Sequence, residues 1–367
     1  MRVVSVQLRD FRTYARAEAH LGEGLTVVHG PNGVGKSNLL EALYFGCTGR
    51  STRSRNEREL VRFGAPAARV VVRLADGSEQ HELSIGFEPG QPKRMSADGA
   101  PVERLLDVET RPLLSVFIPD RLELLKGAPA VRRAHIDQFV AALWPARGGD
   151  RRTYSQVLAQ RNALIAGIRA GRASRASIST WDRQLARHAL ILREHRAAAV
   201  EHLAEPFAQR ASQLGLSGAA SLDYRPRSRA LDEDEFVAEL QARLPGDLER
   251  GFSTHGPHRD ELAPLRDGRE LRLYGSQGEQ RLALLALLLA ERTVLARERR
   301  RTPLMLLDDV MSELDSERRE LLAGELSSGG QSVIATTDLA HVPGAGAGEV
   351  TRLRVSPGAI LQEALAA

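Results

Sequence analysis

Gly30-Pro31-Asn32-Gly33-Val34-Gly35-Lys36-Ser37 follows the pattern G-x-x-x-x-G-K-[ST] without a mismatch, and these residue types in this order make a cradle for phosphate. The glycines let backbone N–H groups curl around one anion, and a helix beginning near Lys36 aims the positive end of its dipole at the same point. Lys36 is placed to reach the terminal phosphates of ATP, and the Ser37 hydroxyl to ligate Mg²⁺. The flanks agree: Leu25-Thr26-Val27-Val28-His29 reads as a strand, and Leu39, Leu40, Ala42, Leu43 and Tyr44 supply an apolar helix from Ser37 to about Phe45. A chance glycine turn followed by Lys-Ser has no reason to sit between two such elements.

Such a site also needs an acid at the end of a buried strand, where it holds the metal. Leu304-Met305-Leu306-Leu307 is apolar throughout, as a strand buried on both faces is, and Asp308 ends it. Asp308 is therefore assigned to Mg²⁺. Asp309 stands where a carboxylate orients or deprotonates an attacking water, so Lys36, Asp308 and Asp309 form the expected catalytic set. The bland alternative for Asp309 is a cap on the following turn.

The elements that must position these residues alternate between strand and helix. Strands are expected at Val3 to Leu8, Arg69 to Leu74, Glu82 to Phe87, Leu113 to Ile118 and Ser332 to Thr337, with turns at Asp76-Gly77 and Asp98-Gly99. From about Ala128 to Leu248 the pattern turns helical: Trp181, Leu185, Ala189, Leu192, Val200, Leu203 and Phe207 keep helical spacing, and Val157, Leu158, Leu164, Ile165 and Ile168 mark a partner helix. Gly171-Arg172-Ala173-Ser174 breaks the run, which predicts an antiparallel hairpin. Gly275 to Gly278 forms a second glycine loop before an apolar helix, Leu282 to Leu289. The expected fold class is α/β, with mixed sheets around the phosphate-loop helix: a head made of 1–125 and 250–367, and an inserted helical arm, 126–249.

Bulk composition narrows the function. The 367 residues are 42% hydrophobic, 27% charged and 4% aromatic, with no apolar run near the roughly 20 residues of a membrane span. Met1 to Val6 alternates like a strand and lacks secretory-signal features, so a cytoplasmic location is expected. Cys47, the only cysteine, cannot form an internal disulfide and falls in an apolar helix as a packing residue. The net charge is +4, but between Arg147 and Arg196 eleven arginines face three acids, a local excess of +8. Arg151, Arg152, Arg161, Arg172 and Arg175 are the candidate DNA-phosphate contacts there. The bland alternative is a solvated helix face in a chain with only three lysines, Lys36, Lys93 and Lys126.

Taken together, the phosphate loop, Leu306-Leu307-Asp308-Asp309 and Ser312-Glu313-Leu314-Asp315 resemble the Walker A, Walker B and D-loop of ABC/SMC-like ATPases. Tyr274-Gly275-Ser276-Gln277-Gly278-Glu279-Gln280-Arg281 is similar to their signature loop. Narrower stretches look like the RecF family: Leu8-Arg9-Asp10-Phe11-Arg12-Thr13-Tyr14, Gly49-Arg50-Ser51, Gly127-Ala128-Pro129 with Arg132, Arg133 and Asp137, Gln160-Arg161-Asn162, and Thr254 to Leu262. This resemblance implies a slow, DNA-dependent ATPase that works with RecR, RecO and RecA in recombinational repair. It also implies an ATP-dependent, head-to-tail homodimer in which Ser276 and Gly278 of one copy cover the γ-phosphate held by the other. The sequence departs from the family pattern at Glu279, where Gln is usual, and has Thr336-Thr337-Asp338 where transporters carry a switch histidine. Asp120 takes the approximate place of the Q-loop residue. His255 and His258 lack a third ligand at metal spacing, which favours a structural role.

Two other ATPase readings and a kinase compete. A transporter's nucleotide-binding subunit would not have 239 positions between Ser37 and Ser276. A chromosome-organising ATPase would need long heptad arms, which the inserted segment lacks. A small-molecule kinase would leave the signature-like loop unexplained.

Overall fold

The computed structural model describes residues 1–54 and 56–363. The chain divides into two compact units, Met1–Arg121 with the segment from Leu295 onward, and Leu122–Val294. No helix among the described residues is long and apolar enough to cross a membrane.

The first unit is built on two six-stranded sheets. One is antiparallel, in the order Tyr14–His20, Arg2–Phe11, Ala68–Asp76, Glu79–Phe87, Arg94–Ala97, Ala100–Pro101. Its alternation is legible in Ala68–Asp76, where Val70, Val72 and Leu74 are buried while Arg69 and Arg73 face outward. The other sheet runs Ala359–Gln362, Thr351–Ser356, Leu25–His29, Ser332–Thr336, Leu304–Asp308, Leu114–Phe117, parallel except for its terminal hairpin. Ser332–Thr336 and Leu304–Asp308 are buried along their whole length, as expected of strands covered on both faces.

Helix Lys36–Thr48 packs against strands of both sheets, and Leu39, Leu40, Ala42, Leu43, Phe45 and Cys47 join the core they share. The registers align the site. His29 pairs with Thr336, and Ala335 pairs with Asp308, so the phosphate loop and the Asp308-Asp309 pair leave the same edge of the parallel sheet. Ligand sites in open α/β sheets form at that carboxyl edge.

The second unit holds helices Pro129–Leu143, Asp150–Arg169, Ile178–Gln213 and Glu233–Arg250, and the start of Gln277–Arg299. The expected hairpin is present. Asp150 meets His195, and Arg161 meets Asp182, so Asp150–Arg169 and Ile178–Gln213 run antiparallel. Tyr154, Val157, Leu185, Ala189, Leu192, Phe236 and Leu240 fill the core of this bundle.

The stretch from Ala128 to Leu248 is mainly helical, as expected, but it also holds a strand, Ala220–Arg225, which pairs with Glu261–Arg266, while Arg269–Glu270 pairs with the other side of that strand. The burial of Ala220–Arg225 alternates only weakly, and its partner lies beyond the helix that follows, so local pattern gave no sign of it. By packing, residues 250–294 go with this helical unit.

Candidate phosphate-binding site

The loop at Gly30 has the conformation its glycines permit. Gly30, Gly33 and Gly35 have φ of 150°, 80° and 118°, values that side-chain-bearing residues avoid. Two of them are also crowded. A Cβ on Gly30 would lie 2.4 Å from the Val355 carbonyl oxygen, and one on Gly35 would lie 2.9 Å from the Tyr14 hydroxyl. Lys36 is buried, and its Nζ donates to the carbonyls of Gly30 and Pro31 at 2.8 and 2.9 Å. The ammonium is thus folded back over the loop it serves. Burial lowers the Lys36 pKa, while Asp309 and Asp308 pull it back up.

Asp308 ends its strand near Ser37, whose hydroxyl favours the ionised carboxylate. Burial pushes the Asp308 pKa up, against the pull of Ser37 and Arg53, with Lys36 also near. The sequence therefore brings Lys36, Ser37 and Asp308 to one place. Asp309 follows with a left-handed φ of 51° and donates its N–H to the Ala335 carbonyl at 3.0 Å. Its Oδ1 is buried without a hydrogen-bond partner among the described residues. A turn cap would use that oxygen, so the capping alternative is not what this geometry displays. The Asp120 side chain lies outside the described residues.

The stretch from Leu8 to Tyr14 clamps the phosphate-loop helix. Arg12 donates through Nε and Nη2 to the buried Glu41 carboxylate, both at 2.9 Å, and Ser51 donates to the same group at 2.5 Å. Asn38 Nδ2 donates to Thr13 Oγ1 at 3.1 Å, and the Tyr14 hydroxyl donates to the Gly35 carbonyl at 2.9 Å. Thr13, Tyr14 and Arg53 were not singled out as site residues. No spacing rule links Thr13 and Tyr14 to the phosphate loop, only the resemblance marked that stretch, and nothing in the sequence marked Arg53.

Ser276 and Gly278 belong to the second unit. Ser276 caps helix Gln277–Arg299 reciprocally: Glu279 N donates to Ser276 Oγ at 3.3 Å, and Ser276 N to Glu279 Oε2 at 2.8 Å. The acid that departs from the family pattern is therefore half of a capping box, and Arg266 donates to its other oxygen.

The remaining stretches interlock within the same unit. Arg132 binds Glu261 through Nε and Nη2 at 2.7 and 2.9 Å, and Arg196 joins Asp137 to Asp260. Arg161 is fully buried, with Nε 2.7 Å from Asp182 and Nη1 2.9 Å from Asp247. This corrects its listing among the DNA contacts in the sequence: a guanidinium enclosed by two carboxylates does not reach a phosphate. Arg151, Arg152, Arg172 and Arg175 are exposed, Arg151 within 3.2 Å of Asp137. His255 lies 2.5 Å from Glu239, and His258 bridges the Tyr154 hydroxyl and the Ser253 carbonyl. Both rings are thus engaged by neighbouring groups of the fold.

The family model described as RecF/RecN/SMC N terminal domain matches residues 2–345. A DNA replication and repair protein RecF of Heliobacterium modesticaldum is 34% identical over 93% of both chains, and that of Myxococcus xanthus 35% identical over 98% of this chain and 97% of its own. A solved structure of the recombination mediator protein RecF with ATP superposes with a TM-score of 0.87 at 25% identity, covering 99% of this chain and 97% of the other. The full-length likeness extends from the phosphate loop through the interlocking stretches of the second unit, and on that ground the chain belongs to the RecF family of ABC/SMC-like ATPases.

Proposed function

We propose that this chain is an ATP-dependent, DNA-binding recombination mediator. It hydrolyses ATP weakly and in response to DNA, dimerises on ATP, and helps RecR and RecO load RecA at gapped DNA in recombinational repair and replication restart. The observation that carries the reading is the convergence of Lys36, Ser37 and Asp308 at the carboxyl edge of the parallel sheet. The known RecF structure with ATP supports the choice of nucleotide.

The donor set fits Mg²⁺. A hydroxyl near a buried carboxylate supplies hard oxygen ligands, and this ion takes few protein groups, with water and phosphate completing its shell. Held by Ser37 and Asp308, it would offset the charge developing on the phosphate oxygens.

The chain's own groups do the rest. Residues Gly30 to Ser37 wrap the phosphates with backbone N–H groups, and Lys36 exchanges the Gly30 and Pro31 carbonyls for phosphate oxygens. Asp309 takes a proton from the attacking water as that oxygen bonds to the γ-phosphorus. The bond to the bridging oxygen breaks, giving ADP and phosphate. Ser276 and Gly278 of the second copy complete the site, so the functional head comprises 1–125 and 250–367 and the arm 126–249. Exposed Arg151, Arg152, Arg172 and Arg175 contact DNA phosphates, giving sequence-independent, salt-sensitive binding to duplex or to single-/double-stranded junctions.

Sedimentation with and without ATP and duplex DNA tests the reading. Wild type shifts to a dimer with ATP, Lys36→Met does not, and Ser276→Arg binds nucleotide yet stays monomeric. Pairing that persists in Ser276→Arg would remove the role of that loop in the partner's site.

A further inference from the structure

We infer that Arg266 is a positioning residue for the loop Ser276-Gln277-Gly278-Glu279, acting through Glu279 to keep the loop receptive to the triphosphate on a second copy of the chain. The inference rests on the ATP-driven pairing proposed above.

The loop presents a helix N-terminus, whose first N–H groups have no acceptor within the helix. Two of them are used internally: Glu279 N–H by Ser276 Oγ, and Ser276 N–H by Glu279 Oε2. The Ser276 hydroxyl accepts from the Glu279 N–H and also helps to hold the Glu279 pKa down. The approach at Gly278 is open, since a Cβ there would meet nothing within 4 Å.

The difficulty is the charge on Glu279. A carboxylate in the first turn suits the helix dipole, and the Ser276 N–H holds its pKa below the usual range, with Arg266 adding to that effect. The group is therefore ionised where a triphosphate must approach, and like charges a few ångströms apart repel. Arg266 answers this by donating from Nη1 to Glu279 Oε1. Both carboxylate oxygens are then engaged, one by Ser276 N–H and one by the guanidinium, so the group neither turns toward the phosphate nor presents a bare charge to it. Arg266 is itself fixed at the end of strand Glu261–Arg266, where it pairs with Ala220 on one side and Arg269 on the other.

The test is a sedimentation titration with ATP of wild type, Arg266→Ala, Glu279→Gln and the double variant, each checked by thermal melting. Arg266→Ala leaves a bare carboxylate and needs about tenfold more ATP for half-maximal pairing. Glu279→Gln keeps the capping hydrogen bond without the charge and pairs at the wild-type concentration or lower. The double variant returns to within about twofold of wild type, because Arg266 has no task once the charge is gone. Equal pairing of wild type and Arg266→Ala overturns the inference alone. So does a loss in Arg266→Ala that Glu279→Gln leaves unrepaired, since that result belongs to a general structural role. Failure of wild type itself to pair on ATP overturns the parent reading instead.

Discussion

Tyr14 and Gly35 hold each other in two ways. The Tyr14 hydroxyl donates to the Gly35 carbonyl at 2.9 Å, and the same oxygen lies 2.9 Å from where a Gly35 Cβ would sit. The phenol is fully buried, and burial pushes its pKa up, so it stays a neutral donor. Gly35, at a φ of 118°, opens the helix that begins with Lys36. Tyr14→Phe removes one hydrogen bond, at about 1 kcal/mol, and leaves the Gly35 carbonyl with the Leu39 N–H as its remaining donor. The expected result is a small fall in melting temperature and a several-fold loss of ATP affinity by calorimetry. Gly35→Ala adds a clash and a strained φ, and abolishes ATP binding. An unchanged affinity in Tyr14→Phe would detach this contact from the site.

Burial sets the Asp308 side chain against its own charge. Its folded pKa is raised chiefly by burial, so the folded state binds its proton more tightly than the unfolded chain does. Ionisation therefore destabilises the fold fully above the folded pKa and not at all below the unfolded value of about 3.8. Asp308→Asn should raise the melting temperature at neutral pH, by roughly 2 °C for each kcal/mol recovered, while eliminating hydrolysis. The gain should shrink as pH falls toward 4. A variant that melts lower than wild type at pH 7 would contradict this account.

Arginines of the helical unit separate into two groups. Arg161 lies between Asp182 and Asp247, so Arg161→Ala strands two buried carboxylates at a cost of about 3–5 kcal/mol. Chemical denaturation should show that loss directly. Arg152→Ala, Arg172→Ala and Arg175→Ala sit on exposed positions and should leave the melt within about 0.5 kcal/mol of wild type. Their signature is weaker DNA binding with a shallower dependence on salt. A salt slope identical to wild type in the triple variant would place the DNA elsewhere.

His258 sets a pH limit on the same unit. Burial lowers its pKa to about 4, so it stays neutral in the fold while the unfolded chain protonates near 6.5. The unfolded state therefore binds more protons between these values, and stability falls as pH drops from about 6.5 to about 4. Replacing the ring by a group that does not titrate, as in His258→Gln, should flatten this part of the curve. Parallel curves for the two proteins would show that the loss comes from other groups.

What was legible in the sequence follows from how local each signal is. The phosphate loop, Asp308 and the buried strands Leu304–Asp308 and Ser332–Thr336 could be read because glycine spacing and unbroken apolar runs mark them within a few residues. The α/β class and the helical hairpin broken at Gly171 were legible for the same reason. Strand Ala220–Arg225 was not, since its partner lies beyond an intervening helix and its own pattern is weak. Tyr14–His20, a mostly exposed edge strand of alternating Arg, Ala and Glu, gave no hydrophobic signal either. The arginine excess was real in sequence, but composition does not distinguish the buried Arg161 from the exposed Arg152. That distinction depends on Asp247, which arrives from a different helix.

The central claim is most directly tested by titrating ATP into wild type and Lys36→Ala, each with magnesium and with a chelator, by isothermal calorimetry. Wild type should bind ATP at least tenfold more tightly with magnesium than without it, and Lys36→Ala should lose most of that affinity while keeping its fold. A wild-type protein with no magnesium-dependent affinity for ATP, or a Lys36→Ala protein that binds equally well, would contradict the account.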